Sequence, residues 1–465
     1  MEHRQDQYDD QERCLRSLVS SIEQLQGHVD LAQLSKICDL IIQTMTGPWR
    51  FFHTTEHIFE VGGSSDAVEI LAALFHDLVY VQVDQVVNIN ISGYISPFIK
   101  DVHGHLTIRD CKELPPDRMF EIVMAVFGFT ASQPLAPMAG QNEFLSALIA
   151  LKTLESMLSL EHLVEIATCI EATIPFRPRK DGDTPSDRLY QRLTQVNQTL
   201  QLGWGETRII EAIQRSVRVA NRDVENFAHS NSDYFLSNTW NLMPETNHHL
   251  RANFYTVQEY RQSLQKMEGF MNFLQPEAVF QEFRGEPGGE TYQDLVKRTR
   301  KNIEVAKLYL GSKLVSIAII EALSLRIGQD IPISTMMGEL PSKGYTSAQL
   351  EQFIPNILNQ HPLKDNIEHE VLDLLEIGRK LDSSYDVKNS PTATFIVKSV
   401  GFEQVRILCD RAKEFFKNEI SPEVFLAHCD ACVLQTIVEG VAQLFDRRKE
   451  ALLRPAISHS SKIFV

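Results

Sequence analysis

Apolar residues recur at threes and fours along most of this chain, so the pattern predicts helices almost throughout. In DLAQLSKICDLIIQ, Leu31, Leu34, Ile37, Cys38, Ile41 and Ile42 form one stripe behind a capping Asp30, and Gly47-Pro48 ends the element. SSDAVEILAALFHD is apolar on nearly every side after Asp66 and Glu69, which have capping-box spacing, and predicts a helix buried all round. Helices are also expected over DRMFEIVMAVFGF, NEFLSALIALKTLESML, EHLVEIATCIEAT, DRLYQRLTQVNQTL and ETRIIEAIQRSVRVANRDVENFA. One stretch breaks the pattern. VYVQVDQVVNINISGYISPFIK (Val79 to Lys100) is β-branched and partly alternating, with Ser92-Gly93 as a turn, and predicts a short hairpin or an ordered lid. The fold class expected is all-α. FRGEPGGETY (Phe283 to Tyr292) concentrates Gly and Pro between helical patterns and is the expected domain boundary.

Charge narrows the function classes. The formal net charge of −16 sets a surface field that repels phosphate backbones and anionic lipid, which disfavours bulk nucleic-acid and membrane partners. The first residues are charged and lack the apolar core of a signal peptide. The longest apolar run, Leu314 to Leu325, is interrupted by Glu321 and is too short to span a bilayer. Seven scattered cysteines suit reduced thiols, and a cytoplasmic location is expected. HCDAC (His428 to Cys432) offers soft ligands, but no second C-x-x-C accompanies it, so it reads as two buried cysteines on the helix SPEVFLAHCDACVLQTIVEGVAQLF.

Three polar intrusions into buried patterns carry the candidate chemistry. His53 and His57 in RFFHTTEHIFEV stand at i and i+4, on one face if the segment is helical. His76-Asp77 terminates the apolar helix, where an unpaired charge is costly and a divalent cation is the simplest compensation. Asp223 shares a stripe with Val219 and Phe227, a seam that faces a core. All are metal-ligand residue types.

The pattern H-x3-H, then H-D, then a distant D resembles the HD-domain superfamily of metal-dependent phosphohydrolases. FFHTTEHIFEV…LAALFHDLVY is especially similar to the predicted bacterial metal-dependent HD phosphohydrolases, and QNEFLSALIALKTLE and IATCIEATIPFRP resemble helices that follow the His-Asp pair there. The resemblance implies an HD-type helical bundle over residues 30–235, with an insert at about 81–140. Around it lie an N-terminal helical extension (1–29), a helical connection (236–284) and a C-terminal helical domain (291–465).

By that resemblance His57, His76, Asp77 and Asp223 are the ligands of one divalent ion (Mn, Mg, Fe or Zn). The ion acidifies a water that attacks phosphorus, Asp77 orients that nucleophile, and His53 is the general acid. Glu143 is the expected holder of a metal-bound water. Arg177, Arg179, Lys180 or Arg222 would grip the substrate phosphate, with Arg177 and Arg222 in first place. One metal rather than two is expected because IEATIPFRP carries Pro175 and Phe176 where a further ligand would stand. The insert, starting directly after the ligand pair, would roof the site. His103, His105, His248, His249 and His162 read as solvated side chains. The expected activity is hydrolysis of a phosphomonoester or phosphodiester of a nucleotide or small metabolite. The alternative is a non-catalytic sensor or scaffold that binds metal or nucleotide, with the C-terminal helices meeting a protein partner or a second copy.

Overall fold

The computed structural model describes residues 2–84, 89–252, 254–339, 348–445 and 449–454. Among them are twenty α-helices and one two-stranded sheet, so the chain is all-α. It divides into two compact units, residues 1–228 with 275–299, and 229–274 with 300–465.

The first unit opens with α1 (Glu2–Gln24), α2 (Leu31–Met45), α3 (Thr55–Val61) and α4 (Ala67–Phe75). Asp30 caps α2 by accepting from the amides of Ala32 and Gln33, as its position before the apolar stripe predicts. Asp66 caps α4 in the same way, but no capping box forms. Glu69 instead turns into the protein, where Arg218 Nε and Arg222 Nη2 reach its two oxygens at 2.7 and 2.8 Å. Burial explains the exchange, since a carboxylate taken out of water needs full-strength partners. The N-terminal helix is no loose extension: Cys14, Leu18 and Ile22 are fully buried in the core shared with α2 and α4.

The stretch after His76-Asp77 differs from the expected hairpin. It forms α5 (Val81–Asp84) and α6 (Ile89–Ile95), with Ser92 and Gly93 inside α6; residues 85–88 of that stretch lie outside the described residues. The hairpin comes later, as β1 (Ile99–Val102) paired antiparallel with β2 (His105–Ile108) in the register Ile99 to Ile108. His103 and Gly104 turn it with φ of 55° and 83°, the left-handed pair that a two-residue hairpin demands. Turn geometry, and not β-branched content, decides where the strands fall.

Then come α7 (Arg118–Phe127), α8 (Gln141–Leu154), α9 (Leu160–Ala172), α10 (Pro185–Leu200) and α11 (Glu206–Asp223). The hub is α9, packed against α4, α7, α8, α10 and α11, and buried from Leu163 to Ala172. Its carboxylates survive burial by pairing: Glu165 with Arg208 and Arg215, Glu171 with Arg177 and Arg192. The Gly- and Pro-rich segment 283–292, expected as a boundary, lies inside this unit, where Phe283 joins the core.

The second unit contains α12 (Ser232–Thr246), α13 (Val257–Phe273) and the larger part of α14 (Gly289–Ile327). It continues with α15 (Ile333–Met337), α16 (Asn366–Glu376), α17 (Pro391–Phe416), α18 (Pro422–His428), α19 (Ala431–Gln443) and α20 (Lys449–Leu452). By length and composition α14 is able to cross a membrane, contrary to the expectation from its apolar run; 83% of its apolar window is buried inside the protein, which accounts for that composition. A kink at Gly401 (φ 78°) bends α17, and a Cβ there would sit 3.0 Å from the His361 ring, so glycine serves both needs. The expected single cysteine-bearing helix is two. Cys429 caps the end of α18, Asp430 caps α19 by accepting from the amides of Cys432 and Val433, and Cys432 is exposed.

Candidate metal centre

Three helices bring the candidate ligands together. His57 lies in the first turn of α3, and His76 caps the C-terminus of α4 with Asp77 directly after it. Asp223 is the last residue of α11. One potential ligand atom from each of the four residues lies within 4.8 Å of every other. His57 Nε2 is 3.1 Å from Asp223 Oδ1 and 3.3 Å from Asp77 Oδ2, while His76 Nε2 is 3.0 Å from Asp77 Oδ2 and 3.3 Å from Asp223 Oδ1.

Those edges fit a cation. Ligands at neighbouring corners of an octahedron with bonds of about 2.1 Å stand about 3.0 Å apart. The tautomer of His76 fits as well. Its Nδ1 lies 2.8 Å from the Ala73 carbonyl oxygen, which only accepts, so the hydrogen is on Nδ1 and Nε2 is turned to the cluster. His76 Nε2 and Asp77 Oδ2 are both buried and complete no hydrogen bond, as expected of atoms whose partner is an ion.

Without an ion, the cluster holds protons. Burial works against charging His57, but Asp223 and Asp77 outweigh it and push its pKa up to about 9. His76 is raised well above the usual value against the same burial penalty, chiefly by Asp77 and Asp223. Burial would neutralise Asp77 and Asp223, yet the charge of His76 above all holds both below the usual carboxylate range.

His53 does not share a helix face with His57. It sits in the bend before α3, its Nε2 3.9 Å from Asp77 Oδ2 and its ring edge-on to Tyr80 at 4.7 Å between centroids. Thr54 at the N-cap position, rather than a residue upstream of His53, starts the helix. Glu143, in the first turn of α8, is buried with Oε2 unpartnered. Burial first, then the charges of Asp77 and Asp223, push its pKa up to about 8.

The two favoured phosphate-binding arginines are engaged internally. Arg222 donates from Nε to the Val61 carbonyl at 2.6 Å and from Nη2 to Glu69, and Arg177 donates to Glu171 at 2.6 Å. Buried Glu69 and Glu171 claim these guanidiniums before any ligand does; Arg177 keeps its Nε buried without a partner. Arg179 and Lys180 are exposed, as are His103 and His105 on the hairpin.

Arg50, given no role by the sequence, supports the centre. Arg50, its side chain wholly buried, holds Asp84 with a two-bonded fork (2.9 and 2.7 Å) and donates from Nη1 to the Asp77 carbonyl at 2.9 Å. Arg50 was visible only as a charge inside an apolar run, beside His53. Comparison of the chain with family models, with curated proteins and with solved structures gives no match.

Proposed function

We propose that the first unit is a metal-dependent phosphohydrolase of the HD type, acting on a phosphomonoester or phosphodiester of a nucleotide or small metabolite. The carrying observation is the convergence of His57, His76, Asp77 and Asp223, from three separate elements, to edges of 3.0 to 3.3 Å. One divalent ion held by these four would supply an acidified water and positive charge against phosphoryl oxygens. His53, beside Asp77 but outside the four, is placed to hold the proton that a leaving oxygen needs. Glu143, whose Oε2 is buried without a partner, would hydrogen-bond a water in the site. Arg177 Nε, buried without a partner, would be a donor for a phosphate oxygen. A cytoplasmic setting belongs to this reading, supported by seven cysteines that are all free thiols.

The first experiment is bound-metal analysis after dialysis against Mn, for wild type and Asp77→Ala, followed by hydrolysis assays with p-nitrophenyl phosphate and bis-p-nitrophenyl phosphate. About one ion per wild-type chain, none in the variant, and metal-dependent turnover are expected. Metal without turnover of either ester would favour the non-catalytic sensor, and no metal would remove the reading.

A further inference from the structure

The second unit contains a cavity of about 440 Å³ lined by residues of α13, α14 and α15, by the segments beside them and before α17, and by Glu351. This volume lies in the range of small-molecule sites, which run from about 300 to 1,000 Å³. Its polar groups divide into a satisfied set and an unsatisfied set.

The satisfied set is cationic at heart. Lys313 Nζ donates to Asp386 Oδ2 at 2.8 Å and to Ser390 Oγ at 3.2 Å, and Asp386 also accepts from Trp240 Nε1 at 2.7 Å. The Arg379 guanidinium stands 3.7 Å from the same carboxylate. Lys313 therefore has its counter-ion and offers an incoming anion little.

The unsatisfied set points to a different ligand. Thr392 is 2% exposed, lines the cavity, and buries a hydroxyl that completes no hydrogen bond, while the Tyr260 hydroxyl on the same cavity lies beside Asp386. Buried polar atoms without partners at a cavity wall are places for a ligand's polar groups. Glu351 also faces the cavity, half-buried, and its carboxylate has no ion pair among the described residues. The rings of Tyr255 and Tyr260 stack at 5.7 Å between centroids and line the same cavity, with Lys313 Nζ 5.9 Å from the Tyr260 ring centroid. A carboxylate without an ion pair and aromatic rings that line one cavity suit an ammonium group, through a charge-assisted hydrogen bond and cation–π attraction.

We propose that this cavity binds a small organic cation, a primary or cyclic ammonium on an apolar or aromatic body with further hydroxyl groups. The site is separate from the metal centre and stands whether or not that centre is catalytic.

The test is calorimetric titration of the full chain in amine-free phosphate buffer. The probes are tyramine and 3-(4-hydroxyphenyl)propionate, which differ mainly in carrying an ammonium or a carboxylate. Saturable binding of tyramine at one site per chain, with none of the propionate, is expected. Glu351→Gln should weaken tyramine binding by roughly tenfold or more, since it removes a charge-assisted contact. Glu351 is part of a short surface turn, so folding of this variant is checked by its melting temperature, and the comparison of the two probes on wild type needs no variant. No saturable tyramine binding, equal binding of the propionate, or unchanged affinity in folded Glu351→Gln would overturn the assignment.

Discussion

Arg50 holds Asp77 by its backbone: Nη1 donates to the Asp77 carbonyl at 2.9 Å while the rest of the guanidinium forks onto Asp84. The carboxylate of Asp77 is thereby left for the cluster, and the chain on either side of it is pinned. Lysine lacks the planar fork, so Arg50→Lys should keep the charge and lose the alignment. The expected outcome is metal affinity about 10- to 100-fold weaker, as for other groups that orient ligands. Competition with a chelating indicator measures it, and unchanged affinity would count against a positioning role.

His53 and the ligands should separate cleanly under mutation. Asp223→Asn and Asp77→Asn are expected to lose bound Mn, whereas His53→Ala keeps it and loses hydrolysis by about 10²- to 10⁴-fold, the usual range for a general acid. Elemental analysis beside an ester assay gives both numbers. Equal turnover by wild type and His53→Ala would remove the acid assignment.

The histidine shifts predict opposite pH trends for the metal-free and metal-loaded protein. His57 is raised from the ordinary value of about 6.5 to about 9, and His76 is raised as well, so their stabilising charge is fully present below about 6.5 and is lost as pH rises through about 9. Asp77 and Asp223 are depressed, so their contribution is present above about 3.8 and fails only as pH falls below that. The metal-free melting temperature should therefore decline from pH 6 to pH 8.5. Metal requires unprotonated imidazoles, so the increment added by Mn should grow over the same interval. A constant or shrinking increment would argue that the ion binds elsewhere.

Glu69 is the clamp between α4 and α11. Glu69→Gln leaves Arg222 without its carboxylate and Arg218 with Glu286 alone, and an expected loss of roughly 1.5 to 3 kcal/mol follows from removing charge-assisted bonds. Denaturant unfolding measures it. Arg222→Ala should fall in the same class, lowering stability with little effect on KM, because its Nε serves Val61 and its Nη2 serves Glu69.

Much of this was legible along the chain because helix formation is local. The stripe of α2 with its Asp30 cap and the all-round apolar α4 follow from residues three and four apart, and α9 and α11 were equally marked. His57, His76, Asp77 and Asp223 stood out as ionisable groups in patterns that otherwise bury, and the resemblance to HD phosphohydrolases grouped them. The hairpin lies at 99–108 and not in the stretch before it, because β-branched content does not specify a register, whereas the His103-Gly104 turn does. The cysteine helix split at Asp430 because a caps-forming residue inside an apolar pattern can start a new helix.

What the sequence determined by itself was the all-α class and a set of ionisable residues in patterns that otherwise bury, since both depend on periodicity and on the cost of burying charge. Only the tertiary structure decided which arginine serves which carboxylate. Arg222 went to Glu69, Arg177 to Glu171 and Arg50 to Asp84, because buried carboxylates take the nearest guanidinium in three dimensions, and separation along the chain carries no information about that distance.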